Sequence, residues 1–279
     1  MKKPAWVVEK ERKARAEGAR TLWLFGLHAV RDALANPRRE KLRLVLTRNA
    51  ADRLGDAVAA GGLEPEVADP RKFPVPLDPG SVHQGAALEV RPLDWGRLEE
   101  VCDPGGAPGE ATGEAATRKA RGAAQGEAPR LLLLDRVTDP HNVGAILRSA
   151  EVFGARAVIA PSRHAAPETG ALAKTASGAL ERQPYLRVPN LGDAMLKLRD
   201  MGYVLIGLDG EGADDLGAAS ARHAGDPLAL ALGAEGPGLR ARTRELCDTV
   251  VRIEAAGAFG SLNVSNAAAV ALYATRKEL

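Results

Sequence analysis

The sequence predicts an α/β protein in two parts: a mostly parallel sheet with helices on both faces over residues 129–279, preceded by a small α/β domain over 22–94. Three observations carry this. Leu131–Leu134 is an uninterrupted apolar run, the pattern of a strand buried on both faces of a parallel sheet. From there apolar runs alternate with helix-length segments, β then α, to the end of the sequence. Between the two parts, residues 95–128 are rich in Gly, Ala, Pro and charge and lack apolar periodicity, as a flexible linker does.

Bulk composition sets outer limits. The 279 residues are enough for two domains, and a hydrophobic fraction of 45% with only 4% aromatics implies a core of Ala, Leu and Val. Net charge is +2, so affinity for nucleic acid has to come from local patches. Cys102 and Cys247 are far apart and without CxxC spacing. That argues against a zinc site or disulfide framework and for the reducing cytoplasm. No metal is expected. Trp6-Val7-Val8 is followed at once by charge, and no apolar run is long enough to cross a bilayer, so neither a signal peptide nor a membrane partner is expected.

Taken in order, residues 1–21 form a charged extension in which Lys2, Lys3, Lys10, Arg12, Lys13, Arg15 and Arg20 outnumber Glu9, Glu11 and Glu17. Such a segment is a solvated tail, and the same charges can add phosphate contacts. Leu22–Phe25 is apolar, and Gly26 opens a helix over His28–Leu34 that ends at Asn36-Pro37. Leu42–Leu46 is a strand candidate, Ala50–Ala60 a helix stopped by Gly61-Gly62, Glu64–Val67 a short strand and Ala86–Val90 the last strand of this domain. His83-Gln84-Gly85 reads either as a turn with a hydrogen-bonded histidine or as a grip on a base edge or phosphate.

In the second part, helices are expected over Asn142–Phe153, Ala171–Leu180, Leu191–Met201 and Leu239–Leu246, with a closing helix from Asn263. Strands are expected over Ala157–Ala160, Tyr185–Val188, Tyr203–Leu208, Leu228–Leu232 and Val250–Ile253. The closing helix is small and apolar on nearly every face, which predicts burial, and Ser261 or Asn263 is placed to cap it.

Ligands of parallel sheets sit outside the carboxyl ends of the strands. The residues there are Asp135, Arg136, Asp139, His141 and Asn142; Asp209-Gly210-Glu211-Gly212; Gly233-Ala234-Glu235-Gly236-Pro237-Gly238; and the stretch Gly257–Ser265. The last three loops are glycine-rich, which suits a planar heterocycle recognised by bare backbone. No GxGxxG follows the first strand and no GxxxxGK[ST] occurs, so the ligand is not gripped by phosphates. Adenosine without phosphates points to S-adenosylmethionine. Arg148, one turn after Gly144 and three residues before Glu151, reads either as a surface pair with Glu151 or as a cation near the reacting centre.

The residues NVGAILRSAEVFGA from Asn142, GAEGPGL from Gly233 and GSLNVSNAAAVALY from Gly260 resemble the three motifs of the SpoU/TrmH family, S-adenosylmethionine-dependent RNA ribose 2′-O-methyltransferases of the SPOUT superfamily. GLHAV from Gly26 and HQG from His83 are similar to the ribosomal-protein-like substrate-binding domain of the subgroup that modifies guanosine in 23S ribosomal RNA. The resemblance implies a trefoil knot in the C-terminal part. It implies backbone contacts to the cofactor from Gly233, Ile253 and Leu262, with Leu208, Gly210 and Gly257 from the same loops. It also implies a catalytic and substrate-facing set of Asn142, Arg148, Glu235, Ser261 and Asn263, and a homodimer packed through the knot and the closing helix.

Rival readings are a 2′-O-methyltransferase acting on tRNA, a non-catalytic RNA-binding ribosome-assembly factor, and a nucleotide-dependent oxidoreductase, the last opposed by the missing phosphate loop.

Overall fold

A computed structural model describes residues 21–77, 80–105, 128–257 and 262–276. The charged arm over 1–20, most of the expected linker, and Ser261 lie outside the described residues. The chain forms two compact units. One comprises the described residues up to Asp94 together with Glu168–Glu181; the other comprises those of Trp95–Pro167 and of Arg182 onward.

The first unit is a four-stranded sheet with helices. It runs β1 (Leu22–Phe25), α1 (Leu27–Ala35), β2 (Lys41–Leu46), α2 (Arg48–Gly61), β3 (Glu66–Val67) and β4 (Ala86–Val90), in sheet order β1-β4-β2-β3. β4 is antiparallel to both β1 and β2. Thr47 caps α2 by accepting from the Ala50 N–H, and Gly62 ends it at φ 70°. α1 has no side-chain cap of its own at Gly26. Its Leu27 N–H donates instead to Gln84 Oε1, 3.1 Å away. His83 Nδ1 accepts from the Gly85 N–H at 3.1 Å, and a Cβ on Gly85 would lie 2.2 Å from Thr47 Oγ1. His83-Gln84-Gly85 is thus the turn of the two readings, and it closes an open helix end.

Residues 168–181 are where the expectation fails. They do not make one helix of the second sheet. They form α5 (Gly170–Ala176) and a 3₁₀ turn (Ala179–Glu181) that complete the first unit. Gly170 sits against β1 so closely that a Cβ would come within 2.5 Å of the Phe25 ring and the Trp23 carbonyl. Glu181 binds the buried Arg39 side chain through two bonds, Nη2 to Oε1 at 2.6 Å and Nε to Oε2 at 3.0 Å. Asn36 Nδ2 donates to the same carboxylate at 2.9 Å, and Glu168 Oε2 lies 3.6 Å from Arg39 Nη1.

The second unit holds α3 (Leu98–Val101), β5 (Arg130–Asp135), α4 (Pro140–Val152), β6 (Ala157–Pro161), β7 (Tyr185–Val188), α6 (Leu191–Asp200) and β8 (Val204–Leu208). It continues with β9 (Asp214–Asp215), α7 (Leu216–Arg222), β10 (Leu228–Gly233), α8 (Ala241–Leu246), β11 (Thr249–Arg252) and α9 (Val264–Ala274). The sheet order is β7-β6-β5-β10-β8-β11-β9, and every pairing is parallel. Every residue of β5 and β6 is buried, as the apolar runs predict. β9 and α7 were not expected from the sequence.

Two further expectations are corrected. The linker does not begin at residue 95. Trp95, Leu98 and Val101 pack on the core of the second unit, Cys102 is fully buried there, and Tyr203 Oη donates to the Cys102 carbonyl at 2.7 Å. Nor is α9 buried all round. It covers Val264, Ala268, Ala271 and Leu272 against the unit and leaves Val270 and Tyr273 exposed. Arg130, at the foot of β5, donates to the carbonyls of Leu272 and Phe153, each at 3.0 Å, and so holds the carboxyl ends of α9 and α4 together. Among the described residues no helix is long and apolar enough to cross a membrane.

Candidate functional site

Sheet order places the carboxyl ends of β5, β10, β8 and β11 side by side, so the four polar loops picked out by the strand-end rule are neighbours. After β10 the chain folds back sharply. A Cβ on Gly233 would lie 2.1 Å from the Gly238 carbonyl carbon, the Gly238 N–H donates to the Ala234 carbonyl, and Gly236 and Gly238 have positive φ. Only glycine permits this approach. The turn leaves Glu235 exposed at its tip.

Glu235 Oε1 accepts from two amides, Asn142 Nδ2 at 3.0 Å and Asn263 Nδ2 at 2.6 Å. Asn263 Nδ2 also donates to Asn142 Oδ1 at 3.0 Å. Three residues separated by as much as 121 positions thus close one network. Each is anchored by its backbone. Asn142 lies in the first turn of α4, which Asp139 caps and Pro140 opens. Asn263 is the N-cap of α9, its Oδ1 accepting from the Ser265 N–H at 2.9 Å. The sequence left Ser261 or Asn263 as the cap, and it is Asn263.

The loops beneath the network are laced by ion pairs. Asp135 is fully buried and accepts from the Arg240 N–H at 3.0 Å and from Arg240 Nε at 2.6 Å. Asp209 accepts from Arg244 Nη2 at 2.5 Å and from the Glu211 N–H at 3.0 Å. Arg252 donates to the Gly212 carbonyl at 2.9 Å. Asp135 and Asp209 are strand-end residues in the sequence. Their partners Arg240 and Arg244 were missed, and the available signal was their i, i+4 spacing at the start of α8.

The other expected site residues fall as follows. Leu208 and Gly210 lie at the end of β8, beside Gly233, and Ile253 directly follows β11. Gly257 and Leu262 flank the interval 258–261, and Leu262 is 47% exposed. Arg148 is exposed on α4, about 9 Å along the helix from Asn142 and on a different face. It does not pair with Glu151, which is held by Arg182 Nε at 2.5 Å. Among the described residues no hydrogen bond joins Arg148 to the Asn142–Glu235–Asn263 network. Burial pushes the thiols of Cys102 and Cys247 up to about 12, so neither is a nucleophile at neutral pH.

A family model described as SpoU rRNA Methylase family matches residues 129–273, more than half of the chain and all three network residues. The chain belongs to the SpoU rRNA methylase family. The SpoU relatives it resembles include the 23S rRNA (guanosine-2'-O-)-methyltransferase RlmB of Vibrio vulnificus, 35% identical over 270 residues, covering 92% of this chain and 97% of that protein. RlmB of Vibrio cholerae is 36% identical over 258 residues, covering 90% of this chain and 94% of its own. The crystal structure of the SpoU methyltransferase AviRb from Streptomyces viridochromogenes, in complex with AdoMet, superposes with a TM-score of 0.70. It is 24% identical and is covered to 91%, against 95% of this chain, which is a likeness of fold.

The network itself makes a prediction. Glu235→Gln retains an Oε1 that can accept from both asparagines, whereas Glu235→Ala leaves the Asn142 amide without its acceptor. If Glu235 is a hub, the Gln variant keeps a near-wild-type kcat and the Ala variant loses about 10²-fold. Equal losses in single-turnover methyl transfer would show that the negative charge, rather than the bonding, is what the reaction uses.

Proposed function

We propose that this chain transfers a methyl group from S-adenosylmethionine to a ribose 2′-hydroxyl of 23S ribosomal RNA, at a guanosine. The observation that carries this is the joining of Asn142, Glu235 and Asn263, one residue from each of three separated motifs, through a single carboxylate oxygen. The names of the relatives matched along nearly the whole chain supply the substrate, and the AdoMet complex of AviRb supplies the cofactor.

The residues fit such a cofactor. A Cβ at Gly210 or Gly257 would meet nothing within 4 Å, so the rim of the strand-end loops is open there. The backbone of Gly233, Ile253 and Leu262, with Leu208, Gly210 and Gly257, would hold it, and when bound it supplies an electrophilic methyl group. The chain's own residues position the nucleophile. Asn142 and Asn263 are preorganised amides that orient the ribose, which is where much of the rate of such a transfer arises. A guanidinium has no acceptor and stays protonated, so we assign Arg148 to the neighbouring phosphate and the developing alkoxide rather than to proton removal. Ser261 is assigned to the same substrate-facing set.

The reading extends to architecture. β10 lies between β5 and β8, β11 follows outside β8, and α9 returns to pack on α4. A Cβ on Gly212 would lie 2.3 Å from the Val251 carbonyl carbon, so two backbone segments pass in direct contact there. Both observations support a C-terminal trefoil knot. The exposed Val270, Tyr273 and Val152, on α9 and the end of α4, support a homodimer through that region. The first unit is assigned to substrate binding and the site of action to the cytoplasm.

The test is labelled methyl transfer to protein-free 23S rRNA and to tRNA, followed by alkaline hydrolysis. A 2′-O-methyl group blocks cleavage of the adjacent phosphodiester, so a labelled, alkali-resistant dinucleotide beginning with guanosine from rRNA is expected. Label in tRNA alone favours the tRNA reading, and none in either sinks the assignment.

A further inference from the structure

Among the described residues of the second unit, two other than glycine, Arg136 and His164, occupy the left-handed region of backbone space, with φ of 61° and 59°. That conformation costs roughly 1–3 kcal/mol for such residues and concentrates at functional sites. They stand on adjacent strand ends, Arg136 directly after β5 and His164 three residues after β6. The two loops are bonded to each other by the Ala166 N–H and the Val137 carbonyl, 3.3 Å apart.

The second loop is held by an unusual investment. Arg187 on β7 gives all three of its guanidinium nitrogens to it: Nε to the Pro161 carbonyl at 3.3 Å, Nη1 to Ala166 at 2.9 Å and Nη2 to Ser162 at 3.0 Å. Tyr185 Oη adds a bond to the Ala166 carbonyl at 3.0 Å. One cation is thus spent entirely on shaping a loop whose tip presents Arg163 and His164 to solvent. Arg136, Arg163 and His164 are exposed and have no partner among the described residues. Of the acids on the two loops, Asp139 is occupied in capping α4 and Glu168 lies 3.6 Å from Arg39 Nη1. The strained, cationic surface begins six residues before Asn142, on the loop that leads into α4.

We infer that Arg136, Arg163 and His164 form a phosphate-binding ledge on the second unit itself, over which the RNA strand runs as its target ribose enters the site. This rests on the proposed function for the identity of the partner. Contacts of this kind fix register without reading sequence. They explain why one loop would be braced by an arginine and why each of the two loops keeps a residue in a costly conformation.

The test is filter binding of labelled, protein-free 23S rRNA to the full chain from about 50 to about 200 mM salt. Arg136→Gln and Arg163→Gln should each weaken binding and reduce the slope of log affinity against log salt by about 0.7–0.9, with S-adenosylmethionine binding unchanged. An unchanged slope overturns the ledge, as does loss of cofactor binding, which would mean a disturbed site. His164→Gly and Arg136→Gly serve as the second measurement. Glycine accepts positive φ, so these variants should melt no lower than wild type while binding RNA more weakly. Unchanged RNA binding in them refutes the proposal whatever happens to the melting temperature. If wild type binds 23S rRNA but transfers no methyl group, the proposed reaction fails while the salt slopes still decide the ledge.

Discussion

Arg39→Met should destabilise the first unit by about 3–5 kcal/mol, the usual cost of stripping one partner from a buried ion pair. The Arg39 side chain is completely buried, and Glu181 and Glu168 are 3% and 9% exposed, so the substitution removes the cation that faces two buried carboxylates. It also removes the donor to the Arg91 carbonyl. Urea unfolding followed by tryptophan fluorescence should show an early transition for the first unit, with the parallel sheet holding to higher urea. Adding Glu181→Leu should recover part of the loss, because a well-packed apolar pair often matches a buried salt bridge. A loss below about 1 kcal/mol in Arg39→Met, typical of exposed pairs, would mean that residues 168–181 do not seal this unit in solution. The same contacts predict trouble for a fragment beginning at residue 129, which would carry 168–181 without the sheet they cover.

Arg148→Ala is expected to lower kcat by about 10²–10³-fold, the loss seen when one preorganised donor to a developing oxyanion is removed. Stability should change by less than about 0.5 kcal/mol, since the side chain is exposed and unbonded among the described residues. Arg148→Lys should regain only part of the activity, because an ammonium cannot replace a planar two-pronged donor. The pH–rate profile should keep its shape in both variants, as Arg148 is not assigned to proton removal. Near-wild-type turnover by the lysine variant would end any special role for the guanidinium. Loss of the rise of rate with pH would restore it as the base.

The strands of the second unit were legible because burial on both faces writes continuous apolar runs such as Leu131–Leu134. The strand-end rule then led to Asn142, Glu235 and Asn263, because polar residues there have few structural reasons to exist. What stayed hidden depended on partners. The apolar spacing of Leu172, Ala173 and Ala176 is the same whichever sheet the helix covers, so the sequence could not say that α5 belongs to the first unit. α7 was missed because only Leu216 and Ala219 of its seven residues are buried. The Arg148–Glu151 pair was a sound local option, but Arg182, 31 positions away from Glu151, takes that carboxylate. Arg240 and Arg244 look like ordinary surface cations until Asp135 and Asp209 are seen beside them.

Residues 168–181 also impose an order on synthesis. β1 is an outer strand of its sheet, and the helix that covers it is encoded far downstream. At about 5–20 residues per second, the stretch from Asp94 to Glu181 occupies a ribosome for roughly 4–17 s. Throughout that interval the nascent first unit holds Arg39 without its carboxylates and β1 without its cover, an edge open to stray pairing. The half-built first unit therefore waits for a segment encoded inside the second, and its completion reports that the first strands of the parallel sheet have already been made.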